Sequence, residues 1–235
     1  MDKIKFEVCA ENIDAVKDAI KAGADRVELC RDLALDGLTP DEDTIRRAVA
    51  LARGSSRRFE VMVLVRPRSG GFIYNHEEKR TMTDSIRTIC GLGADGVVTG
   101  SLAPDMTVDA DWMKEAVELA HSNGLSATFH RAFDHVADPA EALGTLIDIG
   151  VDRILTSGGR PDVISGIDEL AALNRMADGR ISIMPGGGVK SSNISRLHSV
   201  VGASEYHGSC RRTSADGNCS TDLQEIKLIV DILNR

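Results

Sequence analysis

Apolar runs of strand length recur along the chain, each followed by a stretch whose apolar positions keep helical spacing. Lys3–Cys9 opens the series and a helix from Ile13 to Lys21 follows. Arg26–Cys30 comes next, before a helix opened by Thr39-Pro40-Asp41-Glu42, with cap, proline and early acids in order. Phe59–Arg66 precedes His76–Cys90, Gly96–Gly100 precedes Asp111–His121, and Ser126–Arg131 precedes Asp138–Asp148. Arg153–Ser157 precedes Val163–Ala177, Ile181–Met184 precedes Ser192–Leu197, and Ser204–Ser209 precedes Asp222–Leu233. Eight strand–helix units over 235 residues predict one parallel sheet closed on itself, a (β/α)8 TIM-type barrel forming a single domain over 1–235. The rival, an open doubly wound sheet, lacks the Gly-x-Gly-x-x-Gly turn expected after its first strand. An internal repeat supports closure: Gly23-Ala24-Asp25, Gly93-Ala94-Asp95 and Gly150-Val151-Asp152 each end a helix and lead into a strand.

Alternation assigns faces. Ile4, Phe6 and Val8 form an apolar set to meet helices, so Lys5, Glu7 and Cys9 point into the barrel. By the same parity Arg26, Glu28 and Cys30 point in, as do Glu60, Met62, Leu64 and Arg66, and Ser126, Thr128 and His130. Glu205, His207 and Ser209 share a parity on the last strand, whose other face is too polar for a firm assignment. Charges of both signs inside a barrel must pair, since an isolated buried ion costs several kcal/mol.

Composition narrows the function classes. With 42% hydrophobic and 27% charged residues the chain is that of a folded protein, and a net charge of -8 gives nucleic-acid binding little support. No run approaches the ~18 apolar residues of a membrane span. The start, Met1 to Phe6, enters a strand without an apolar leader. Five cysteines, an odd number and few for this size, read as reduced thiols of a cytosolic protein.

The chemistry collects at the C-terminal strand ends, the face where such barrels react. Glu7-x-Cys9 and Glu28-x-Cys30 repeat on adjacent strands at the same depth, so two inward thiols come within reach of one soft ion such as Cu(I); each is equally a small buried apolar side chain. Arg66-Pro67-Arg68 leaves the third strand as a stiff basic turn, either gripping a carboxylate or phosphate or neutralising Glu7 or Glu28 within the barrel. His130 ends the fifth strand as a candidate general base or ligand oriented by Asp134 or a glutamate, and His207 faces the same choice against a structural role. Gly186, Gly187 and Gly188, followed by Lys190 to Asn193 and a short helix, offer backbone amides for an anion, or simply a tight turn. Cys90, Cys210 and Cys219 show no partner spacing.

These stretches, together with Gly37-Leu38-Thr39-Pro40, Thr128 to Asp134, Arg153 to Gly158 and Glu205 to Ser209, resemble the CutC family of copper homeostasis proteins over nearly the whole chain. The resemblance implies a TIM-type barrel, a cytoplasmic location, a homo-oligomer and a role in copper handling, with Cys9 and Cys30 at the positions proposed to ligate Cu(I). Asp36 and Ser69 depart from the family, each standing where a glycine is usual. Two functions follow as expectations. One is a copper-handling protein; the other is an enzyme on a small anionic metabolite, with Arg66, Arg68 and the glycine turn holding the anion and His130, Glu7 or Glu28 moving protons.

Overall fold

A computed structural model describes residues 3–213 and 219–235, so Met1 and Asp2, on which part of the expectation about the chain's start rests, lie outside the described residues. Eight parallel strands alternate with eight helices as a TIM-type barrel. The strands are β1 (Lys5–Ala10), β2 (Arg26–Leu29), β3 (Glu60–Leu64), β4 (Gly96–Thr99), β5 (Ser126–Phe129), β6 (Arg153–Thr156), β7 (Ser182–Pro185) and β8 (Glu205–Gly208). The helices are α1 (Ile13–Ala22), α2 (Glu42–Arg53), α3 (His76–Leu92), α4 (Ala110–Ser122), α5 (Pro139–Ile149), α6 (Ile167–Ala177), α7 (Ile194–Val201) and α8 (Leu223–Leu233). β1 pairs with both β2 and β8, and pairing runs in order from β2 to β7. Among the described residues, β7 and β8 meet through an isolated parallel bridge between Gly186 and His207. A short antiparallel hairpin, β9 (Arg211–Thr213) with β10 (Cys219–Thr221), precedes α8. The hairpin has no counterpart in the sequence reading, because its strands are too short and polar to carry an apolar alternation.

Parity holds. Phe6, Val8, Val27, Leu29, Val61, Val63, Ala127 and Phe129 pack in the cluster between sheet and helices, whereas Cys9, Cys30, Met62, Leu64 and Val98 form a separate cluster inside. Tyr206 settles the outward face of β8: it is buried, and its hydroxyl meets His198 Nδ1 at 3.0 Å. The aspartates of the internal repeat have a structural task. Asp25 accepts the Phe6 amide, Asp95 that of Val61 and Asp152 that of Ala127, so each ties the foot of an even strand to the odd strand before it.

Two local details differ from the sequence reading. α2 is capped by Asp41, whose side chain accepts from Thr44 N, rather than by Thr39. The Thr39 hydroxyl instead accepts from Arg66 N at 2.8 Å and donates to Arg66 O at 3.1 Å, joining the loops that follow β2 and β3. The two Glu-x-Cys steps are also not level. Cys9 lies opposite Glu28, because neighbouring strands of a closed barrel are staggered.

Candidate functional site

The interior is built in layers contributed by alternate strands. Just after the repeat aspartates, β2, β4, β6 and β8 send in Arg26, Gly96, Arg153 and Glu205. Glu205 accepts from Arg26 Nη2 and from Arg153 Nε at 3.1 Å, while Arg153 also donates to Thr128 Oγ1 at 3.1 Å. Gly96 leaves room for the layer above, since a Cβ there would stand 2.2 Å from Met62 Cε. This network seals the floor of the mouth.

Above it, Glu7 is 1% exposed and accepts from Arg26 Nε at 2.5 Å and, on its other oxygen, from His207 Nδ1 at 2.7 Å. Burial alone would raise the Glu7 carboxyl, but the Arg26 charge and the His207 hydrogen bond hold it near 2. His207 shows the reverse balance. Burial disfavours its cation, yet the bond to Glu7 and the charges of Glu28 and Glu7 lift its pKa above the ordinary imidazole value. Glu28 Oε2 stands 3.5 Å from His207 Nε2, and burial pushes that carboxyl up to about 7 against the pull of His207. A carboxylate held ionised, an imidazole biased towards its cation and a carboxyl biased towards its neutral form thus run in line from core to mouth.

One layer higher, Cys9 Sγ lies 3.7 Å from Cys30 Sγ. The contact to Cys30, burial and the neighbouring carboxylates raise the Cys9 thiol well above its ordinary value, so it is protonated at neutral pH. Cys9, Glu28 and His207 offer one donor atom each, all within 4.8 Å of one another. A disulfide is disfavoured. A two-residue offset across neighbouring strands separates the two Cα atoms by about 8 Å, beyond the usual reach of an S–S link.

These groups floor a cavity of about 440 Å³, walled by Leu64, Phe72, His130, Arg131, Gly187 and Gly188. His130 Nδ1 accepts from Ala132 N at 3.2 Å, which puts the ring proton on Nε2, a buried donor without a partner among the described residues. Burial and the Arg66 charge press its pKa down to about 3, so the ring is neutral at physiological pH. Its ring lies 4.9 Å from that of Phe72.

The structure divides the other predicted site residues. Arg66 lines the cavity but neutralises neither Glu7 nor Glu28; Arg26 does that for Glu7. The Arg66 guanidinium donates to the carbonyls of Leu35, Asp36, Gly37 and Gly70, clamping two mouth loops. Arg68 faces elsewhere, bound to Glu78 at 2.5 Å and stacked over Tyr74. Asp134 does not orient His130. It accepts from Thr156 Oγ1, Ser157 N, Gly159 N and Arg131 Nε, fixing the turn after β6. Of the glycines, Gly187 and Gly188 reach the cavity, whereas Gly186 donates to Thr156 O within the sheet. The amides of Lys190 and Ser191 are taken by Asn193 and Glu225, so the turn before α7 offers fewer donors than its sequence suggests. Cys210 is buried away from this cavity, its thiol pushed up to about 12 by burial.

Sequence reasoning missed the Arg26–Glu205–Arg153 network. The signal was present: Arg26 and Arg153 follow the repeat aspartates at inward parity, and an inward arginine requires a carboxylate.

The comparisons agree on kinship. A model of the CutC family matches residues 4–212. A CutC family protein of Vibrio cholerae serotype O1 is 42% identical over 211 residues, 90% of this chain and 81% of the relative. One from Bacteroides thetaiotaomicron is 42% identical over 213 residues, 91% of this chain and 83% of the relative. A crystal structure of CutC from Streptococcus agalactiae, described as a candidate copper homeostasis protein, matches with a TM-score of 0.82 at 33% identity, covering 88% of this chain and 98% of that one. An N-(5'-phosphoribosyl)anthranilate isomerase from Pyrococcus furiosus, 13% identical with a TM-score of 0.60 over 98% of each chain, shares the fold alone. By family model, relatives and structure together, the chain belongs to the CutC family.

Proposed function

We propose that the mouth is a reaction site for a small molecule, in which Glu28 and His207 exchange a proton with the bound compound. The carrying observation is the cavity itself. About 440 Å³ lies within the range of small-molecule sites, far more room than a single ion needs, and its floor is the Glu7–His207–Glu28 line. Glu7 fixes the ring and charge of His207, His207 presents Nε2 to the cavity, and Glu28 beside it takes or gives the proton. Buried His130 is a hydrogen-bond donor in this reading. The test is a screen of small carboxylates and phosphorylated compounds by thermal shift, with turnover of each hit followed by NMR. Glu28→Gln should bind the hit but turn it over at least ~100-fold more slowly. Equal turnover by the variant, or no stabilising compound at all, would sink the proposal.

A second reading has its own observation, the 3.7 Å between Cys9 and Cys30 sulfurs. That separation is within the span of two metal–thiolate bonds of about 2.3 Å each, and thiolates select Cu(I). Glu28, in its ionised form, stands close enough to receive the proton that metal binding would displace from Cys9, and the Cys30 proton would pass to solvent. In this reading copper is the cargo of a cytoplasmic protein; the Streptococcus agalactiae relative is described as a candidate copper homeostasis protein. Anaerobic competition with a chromogenic Cu(I) chelator tests it. Stoichiometric binding should fall by orders of magnitude in Cys9→Ser and in Cys30→Ser; binding indifferent to both changes would leave copper a bystander.

A further inference from the structure

Arg131 has no settled task in either reading. It begins the turn after β5 and is held at two points: Nε donates to Asp134 Oδ2 at 2.7 Å and Nη2 to Ser157 Oγ at 3.1 Å. Asp134 is itself locked by donors from Thr156, Ser157 and Gly159, so the guanidinium is aimed before any ligand arrives. Among the described residues nothing accepts from its Nη1, and its side chain, 45% exposed, lines the cavity. Opposite stands Gly187 at φ 106°, where a Cβ would lie 3.4 Å from Arg131 Cζ and 3.3 Å from Ser157 Cβ. The glycine therefore lets main chain come up against the guanidinium, and Gly188 continues that wall.

The charge balance points the same way. Of the buried arginines, Arg26 pairs with Glu7 and Glu205, and Arg153 pairs with Glu205. The Arg66 guanidinium donates to carbonyls and lies over the Phe72 ring, and among the described residues no carboxylate pairs with it. A cavity with low-dielectric walls and an unmatched cation favours an anion.

We propose that Arg131 and the Gly187–Gly188 turn form a subsite for the oxyanion group, carboxylate or phosphate, of the small molecule that occupies the mouth. The subsite rests on the small-molecule reading of this cavity. Arg131 contributes the fork that matches two oxygens, the turn contributes backbone, and Asp134 is a positioning residue acting through Arg131. The group to be transformed then lies across the cavity, over Glu28 and His207.

The experiment is an amide NMR titration of the full chain, following Gly187 and Gly188. Inorganic phosphate and acetate serve as separate probes, with chloride at matched ionic strength as the blank. Wild type should shift saturably with at least one probe, and which one saturates identifies the oxyanion. Arg131→Gln should weaken that binding at least tenfold, and Arg131→Lys, which keeps charge but loses the fork, by less. Arg68→Gln should bind as wild type, because Arg68 lies outside the cavity. Shifts no different from chloride for both probes, or equal binding by wild type and both Arg131 variants, would overturn the subsite. The readout needs no turnover, so failure of the proposed reaction leaves it legible, and loss of the subsite leaves the Glu28→Gln comparison standing.

Discussion

Glu28 faces His207 and the Cys9 thiol but no guanidinium of its own, and Glu7, on the neighbouring strand β1, has taken Arg26 and one side of the imidazole. The two carboxyls therefore titrate in opposite directions. Glu7, held at about 2 in the fold, stabilises fully above its ordinary value of 4.5 and loses that contribution as pH falls from 4.5 to 2. Glu28, raised to about 7, stabilises most below 4.5 and loses its contribution as pH rises through 7. His207, raised above 6.5, loses stability on the alkaline side as well. Urea unfolding at stepped pH should therefore show greatest stability near pH 5, with Glu28 responsible for on the order of 2–3 kcal/mol of the fall towards pH 8. Glu28→Gln should flatten most of that alkaline limb. A limb unchanged by the substitution would mean that Glu28 is an ordinary carboxylate.

Between elements, the mouth depends on Arg66. One guanidinium holds the turn through Leu35, Asp36 and Gly37 to the loop at Gly70, and its backbone is tied to Thr39. The turn needs holding, because Asp32 and Asp36 both sit in the left-handed region, at φ 52° and 63°. Arg66→Gln should strand several carbonyls at once, lower stability by about 1–3 kcal/mol and hasten proteolysis within 31–38. Unchanged cleavage would show that the turn stands without the clamp. Sequence could point to this arginine but not to its partners. Its inward parity was legible, since alternation needs only neighbours in the chain, whereas three of its four carbonyl acceptors are backbone atoms some thirty residues away. Arg68 shows the same limit: a second arginine beside a proline reads like a pair, yet the turn sends it to Glu78.

For the whole molecule, the eight units were legible because each strand carries its own apolar face and the repeat fixes where it starts. The stagger was not, because it belongs to closure rather than to any one strand. Hence Cys9 faces Glu28 across the sheet while its sulfur still reaches Cys30, and the inward list holds Cys9, Glu28, Cys30, Arg66, His130 and His207 of the cavity without ordering its layers. The hairpin before α8 lay beyond reach for a different reason: nothing apolar marks it.

The seam between β7 and β8, joined at Gly186 and His207, sets two walls of the cavity on opposite staves of one cask. Gly187 and Arg131 stand on one side of the joint, His207 and Glu28 on the other. Any breathing of the cask there changes the span between the walls first, and amide exchange beside the seam should be the fastest in the barrel. A compound bridging the two walls would act as a hoop, tightening the joint as it binds.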